Sequence, residues 1–514
     1  MSSWTVGQLD SWTVGQLGSW FIKKLVSWTS LFILLSFQSY SNFEYNPNCQ
    51  QAMLAILDLK TQTAREILQL EKKANPQNGY VIYLEHYCES IELIVTEDEK
   101  IYEKLIDSYE ARKEEMDKLD DGSPYNSWLQ AEMLFHTGLA QIKYGTRISG
   151  VRKMLGSYNR IKDHQKEYPQ FWQNQKLTGT FNIILDFIPP FMSWATDMFG
   201  YSGDSDLGIS QLTQYYGKAK GIPGLAEESL LFTSLGYKLT WKESEGFSFL
   251  ADQDKKLLQL TLVKYLFASA ASFTFRNDLT LKIIDEIHQD ELQVRFYGLL
   301  YITGRSKLNH LEKDALYYLE RFINDYPGLD YKKDICNRLS YYYLIQGNVT
   351  KFEEYRSRVA TIGQDLRDRD REAIVESRSG LIPHTGLLKA RLLCDGGYFS
   401  QADSVIKSID HGLLSHSAYQ LEYYYRKGRI CQLTGKTSMA IDEYLKTFNQ
   451  GKSQPYTYAC RSALQLGKIY EEMKNFPQAL QWYENCLETY DDDHTADGVE
   501  QMADKGRGRV KKKF

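Results

Sequence analysis

The stretch 463–488 constrains what this chain can fold into more than any other. Gly467 and Ala479 are small residues twelve positions apart, and each is followed within a helical turn by an aromatic, Tyr470 and Tyr483. Leu466, Gly467 and Tyr470 belong to one helix, while Ala479 and Tyr483 share a face of the next. Small side chains at both positions let two antiparallel helices cross closely, and the aromatics fill the space beside the crossing. Such a hairpin cannot bury its apolar face alone, so it needs neighbours of the same kind stacked against it. The spacing predicts an all-α solenoid of helix pairs.

Matching offsets recur upstream. Tyr424, Gly428, Ala440 and Tyr444, with Gly435 at the turn, define a unit over 421–448. A weaker unit has Ala390, Ala402 and a Gly396–Gly397 turn, with Ile406 in place of the aromatic. Another runs from Phe296 through Gly298 and Ala315 to Pro327–Gly328, where Pro ends a helix and Gly permits the turn. A pair through 339–343 and 352–359 fills the interval, turning at Gly347–Asn348. The first half is less regular, with helical patterns at 52–59, 64–73, 81–95 and 101–119 and a new start near Trp128. Units of about 34 to 40 residues predict roughly eleven to thirteen helix pairs after residue 41. These offsets resemble those of tetratricopeptide repeats. The resemblance implies a non-catalytic scaffold that holds a peptide segment of a partner protein in its concave groove.

A departure comes at 187–212, FIPPFMSWATDMFGYSGDSDLGISQL. Pro189, Pro190, Phe199, Gly200, Tyr201, Ser202, Gly203, Asp204, Leu207 and Gly208 resemble a signature of the mitochondrial outer-membrane inclusion-body-clearance family of tetratricopeptide proteins. A weaker likeness extends from about residue 80 to the C-terminus. The resemblance implies an architectural role for the motif, ending one helical layer and starting another, and proximity to a membrane. The leader described next departs from that family and points to an exported bacterial relative.

Lys23 and Lys24 precede an apolar run, Leu25–Phe37, and Ser39 and Ser41 follow at cleavage-site spacing, which makes Asn42 the expected mature start. The run is short for a membrane span. Upstream, 3–10 and 11–18 are identical at seven of eight positions, a tandem duplication that has no bearing on the fold. The expected location is the periplasm or cell envelope of a Gram-negative bacterium. Four segments follow: a leader (1–41), a degenerate helical-repeat half (42–285), a more regular half (286–500) and a basic tail (501–514), the last read as a solvated terminus. The formal charge of −5 argues against general nucleic-acid binding. Seven cysteines without a C-x-x-C pair read as core filler rather than a disulfide framework.

Chemistry-bearing patterns are weak. Gly435-Lys436-Thr437 lacks the glycine and the strand of a phosphate loop, and Gly200-Tyr201-Ser202-Gly203 lacks the second glycine of a nucleophile elbow. His86 and Cys88 point to different helix faces, and no H-E-x-x-H occurs. His136 reads as a core or groove histidine. Glu227–Glu228 and 491–493 are acidic by adjacency alone. Arg367-Asp368-Arg369-Asp370-Arg371-Glu372 alternates in sign and reads as a solvated helix face. The apolar stretches 181–200 and 257–275 read as buried helices. Tyr341, Tyr342, Tyr343 and Tyr423, Tyr424, Tyr425 are the candidate groove residues, because three successive helical positions cannot all face a core. No catalytic residue, metal or cofactor is expected. The alternatives are a glycan hydrolase or other enzyme with its site in 80–250, and a membrane-associated repeat protein.

Overall fold

The computed structural model describes residues 42–119, 122–187, 202–491 and 498–514. The leader with its duplication, and Pro189, Pro190, Phe199, Gly200 and Tyr201 of the double-proline motif, lie outside them. Among the described residues the chain is all-helical, with 24 α-helices and no strand. Twenty-two form eleven consecutive antiparallel hairpins, and two stand outside the pairing, Asp368–Arg378 and Val499–Lys511.

Local chemistry sets the hairpin boundaries. Asn46, Asn78, Asp98, Asp204, Asn348 and Asn475 each accept a backbone N–H of the helix that follows, satisfying a donor with no partner inside it. Gly435 turns the Ser417–Leu433 helix into its partner at φ +75, a conformation open to glycine without strain. Ala440 and Ala479 are wholly buried at the helix crossings. A Cβ on Gly467 would lie 2.7 Å from the Tyr483 ring, and one on Gly428 2.8 Å from Tyr444. Those two tyrosines also end alike: Tyr444 OH donates to Gln432 Oε1 at 2.7 Å and Tyr483 OH to Glu471 Oε2 at 2.5 Å. Residues 428, 432, 440 and 444 thus return at 467, 471, 479 and 483, a period of 39.

The described part of the double-proline motif begins a layer. Asp204 accepts from Leu207 N at 2.9 Å and caps the Ser205–Ala219 helix. A Cβ on Gly208 would meet the Gly179 carbonyl oxygen at 2.7 Å, so two helices touch there backbone to backbone.

Two sequence expectations fail. The basic tail is a helix, Val499–Lys511, that buries Val499, Ala503 and Val510, sets Gly506 against Tyr483 and pairs Arg509 with Glu471. The alternating run 367–372 is solvated only in part, at Arg367 and Asp368. Asp370 is wholly buried and accepts the backbone N–H groups of Tyr331 (2.7 Å) and Asp334 (3.0 Å), capping the Lys332–Ile345 helix. Glu372 is also buried, among three arginines.

Distant hairpins also meet, so the first half folds back on itself. Asp58 Oδ1 accepts from Thr261 N (3.1 Å) and Oγ1 (2.9 Å), and Gln293 N donates to the Leu59 carbonyl at 3.1 Å. Lys143 bridges to Asp330 at 3.3 Å, and Lys505 of the last helix pairs with Asp186. The first hairpin therefore packs against the Leu225–Leu239 and Thr261–Phe273 helices, two hundred residues on. The largest apolar core spans Phe43 to Val263 and a second runs from Tyr297 to Leu392.

Candidate functional site

Helices from both halves enclose a cavity of about 710 Å³. Behind its wall, against the lining residues Tyr87 and Phe232, lies a buried charge network. Lys176 is fully buried, with Nζ 2.8 Å from Glu132 Oε2 and 2.6 Å from Glu228 Oε1. Tyr215 OH donates to Glu228 Oε2 at 3.0 Å. Burial pushes the Glu132 carboxyl up to about 7, against the pull of Lys176. His136, one helical turn beyond Glu132, lines the cavity, and its buried Nδ1 has no hydrogen-bond partner. Burial holds this imidazole well below its ordinary range, with Lys176 and His86 adding positive charge, so it is neutral.

The walls are apolar. Ile94, Leu139, Leu235 and Leu239 line the cavity and keep 64%, 40%, 40% and 51% of their surface exposed. Burying one such side chain is worth about 1.5–3 kcal/mol. Gathering four of them unburied in one place is a cost that folding alone does not explain.

One end of the cavity is cationic. Lys238 and Arg367 line it beside Tyr265, Tyr301 and Tyr331. Arg367 Nε donates to Asp330 at 2.7 Å. Lys238 has no carboxylate within ion-pair distance among the described residues; its ammonium lies 3.5 Å from Ser269 Oγ and 4.8 Å from the Phe273 ring centre. Arg305 faces the same ring at 5.3 Å, is 6% exposed and leaves Nε without a partner. Lys238 keeps part of its surface exposed, but crowding by the surrounding protein, with Arg367 and Arg305 adding like charge, lowers its ammonium from the ordinary lysine range. Burial, then Arg369 and Arg338, bring Arg305 down to about 10. Glu97, the one carboxylate in the lining, pairs with Lys143, and Asp330 takes Arg367, so Lys238 and Arg305 are the cations here without an ion-paired carboxylate among the described residues.

A second, smaller pocket of about 220 Å³ opens between the Lys332–Ile345, Asp368–Arg378, Thr385–Gly396, Ser417–Leu433 and Tyr458–Glu472 helices. Arg356, Arg378, Arg391, Arg426 and Arg461 line it with Glu372, Glu376 and Glu422, five cations to three anions. Glu372 is the hub, accepting from Arg391 and Arg461 at 3.2 Å each. Burial opposes its ionisation, but Arg461, Arg391 and Arg369 outweigh burial and hold it well below the usual carboxylate range. Arg356 is 9% exposed, and its buried Nη2 has no hydrogen-bond partner.

The six tyrosines singled out by sequence do not share one surface. Tyr341 lines the smaller pocket, its hydroxyl accepting from Asn337 at 2.8 Å. Tyr342 is buried, and Tyr343 stacks on Tyr355 and donates to Glu320 at 3.1 Å. Tyr423 and Tyr424 pack on His411, and buried Tyr425 sits between Tyr444 and Tyr458. Lys176, Glu132, Lys238, Arg305 and Arg356 gave no signal in the sequence, and Glu228 stood out only as a neighbour of Glu227, because their surroundings come from distant helices. The seven cysteines are buried and unpaired by disulfides. Among the described residues no cluster of His, Cys, Asp and Glu could hold a metal ion, and no helix is long and apolar enough to cross a membrane. No family model matches the chain, and no curated protein is significantly similar to it.

Proposed function

We propose that this protein is a non-catalytic scaffold of tetratricopeptide-type helix pairs, exported to the bacterial envelope, that binds an acidic segment of a partner protein. The carrying observation is the arginine-lined pocket, where Arg356 presents an unpartnered, buried guanidinium nitrogen. A planar donor held in place by its neighbours loses little entropy on pairing with a carboxylate. Tyr341, Tyr456 and Tyr458 on the same walls add rigid ring surface for the flanking residues. The repeat type rests on the 39-residue recurrence of crossing glycine, alanine and tyrosine, and the export on the leader. Glu132 and Glu228 lie in the region an enzymatic site would need. They share one ammonium and are fully buried, which favours a structural role.

Fluorescence anisotropy with extended acidic and neutral peptides tests this reading. Acidic peptides are expected to bind, and Arg356→Met to weaken them by about tenfold or more, the scale of one hydrogen bond to a charged group. Exposed Arg378→Glu should weaken them without disturbing the fold. Equal binding of neutral peptides, or indifference to both substitutions, would overturn the assignment.

A further inference from the structure

We propose that the large cavity is a second, separate site that takes a long-chain fatty acid, its acyl chain along the apolar wall and its carboxylate on Lys238. Three observations converge on this occupant. Ile94, Leu139, Leu235 and Leu239 line this space and stay exposed, and an acyl chain removes apolar surface from water without needing any hydrogen bond. An extended peptide in the same position would strand backbone N–H and C=O groups against that wall. The volume of about 710 Å³ lies inside the roughly 300–1,000 Å³ of typical ligand pockets.

Charge fixes the orientation. Lys238 lines the cavity with no carboxylate partner among the described residues, Arg305 shares the Phe273 ring with it from outside the lining and leaves a buried nitrogen unpaired, and the one lining carboxylate, Glu97, is held by Lys143. An incoming carboxylate supplies the missing counter-charge. Val151, Met154, Leu155 and Phe181, elsewhere in the lining, offer a head group no polar side chain. The arrangement therefore selects an amphiphile with a single acid terminus over a neutral lipid. Since this cavity is distinct from the arginine-lined pocket, its occupancy stands or falls independently of peptide binding.

The test uses the full chain, stripped of bound lipid, in competition between a fluorescent fatty acid and either oleate or oleyl alcohol. Native mass spectrometry reads the stoichiometry. Oleate is expected to displace the probe as a one-to-one complex and to hold more tightly than the alcohol. Lys238→Gln should weaken oleate by about tenfold and leave the alcohol unchanged. Leu239→Glu, at a half-exposed position where folding is not at stake, should weaken both. Thermal melts of each variant separate loss of the site from loss of the fold. If oleate and the alcohol bind alike and ignore Lys238→Gln, the head-group assignment is wrong. If neither binds, because a part of the chain itself or a second copy fills the space, the proposal is overturned.

Discussion

Lys176 is the residue on which the first half turns. Its ammonium is the counter-ion for Glu132 and Glu228 in a place where water cannot reach any of them. Removing one member of such a cluster leaves buried charge uncompensated. Lys176→Met should therefore cost about 3–5 kcal/mol in urea unfolding at pH 8. Replacing Glu132 and Glu228 by Gln in the same chain should recover much of that loss. The pH dependence has a definite sign. Glu132 titrates near 7 when folded and near 4.5 when unfolded, so the folded state binds more protons between those values and stability falls as pH rises through them. Without Lys176 the fall should be steeper and extend to higher pH, so the variant's deficit at pH 5 should be smaller than at pH 8. A deficit independent of pH would show that the lysine acts through packing alone.

At the scale of elements, the hairpins were legible because their determinants are local. Gly428 with Tyr444, and Gly467 with Tyr483, announce a close crossing by spacing alone. Gly467→Val should cost about 1–3 kcal/mol by overpacking, because its Cβ would meet the Tyr483 ring at 2.7 Å. A melt unchanged by this substitution would mean that the crossing yields. The Asp368–Arg378 helix was misread for the opposite reason. Alternating charge marks a solvated surface only if no partner lies nearby, and the partners here, Asp330, Asp334, Arg391 and Arg461, are up to 89 residues distant in the chain. Asp370→Ala should remove the cap of the Lys332–Ile345 helix and cost about 1–2 kcal/mol, with faster amide exchange at Tyr331 and Asp334. The tyrosine triplets show the same limit. That three successive rings cannot face one core was correct geometry, but hairpins on either side offered several cores.

For the whole molecule, the sequence pointed to stacked helix pairs and was silent on closure. No periodicity reports that Asp58 meets Thr261 or that Lys505 meets Asp186. An open solenoid unfolds as a sum of neighbouring units. This one should unfold more cooperatively, because its first hairpin is held by later ones. Asp58→Ala removes two hydrogen bonds and should cost about 1–3 kcal/mol. Hydrogen exchange should then show the Pro47–Ala74 region opening ahead of the rest, whereas in the parent chain it opens with its partners. Early opening in both chains would show that the seam carries little.

Closure also bears on how such a chain can change over generations. Repeat arrays ordinarily lengthen or shorten by whole units, since each unit touches only the one before and the one after. Here an extra hairpin inserted between residues 74 and 225 would carry Asp58 away from Thr261 and break the seam. The number of units between the two sides of the seam is thus held constant, while the array beyond residue 293 stays free to lengthen.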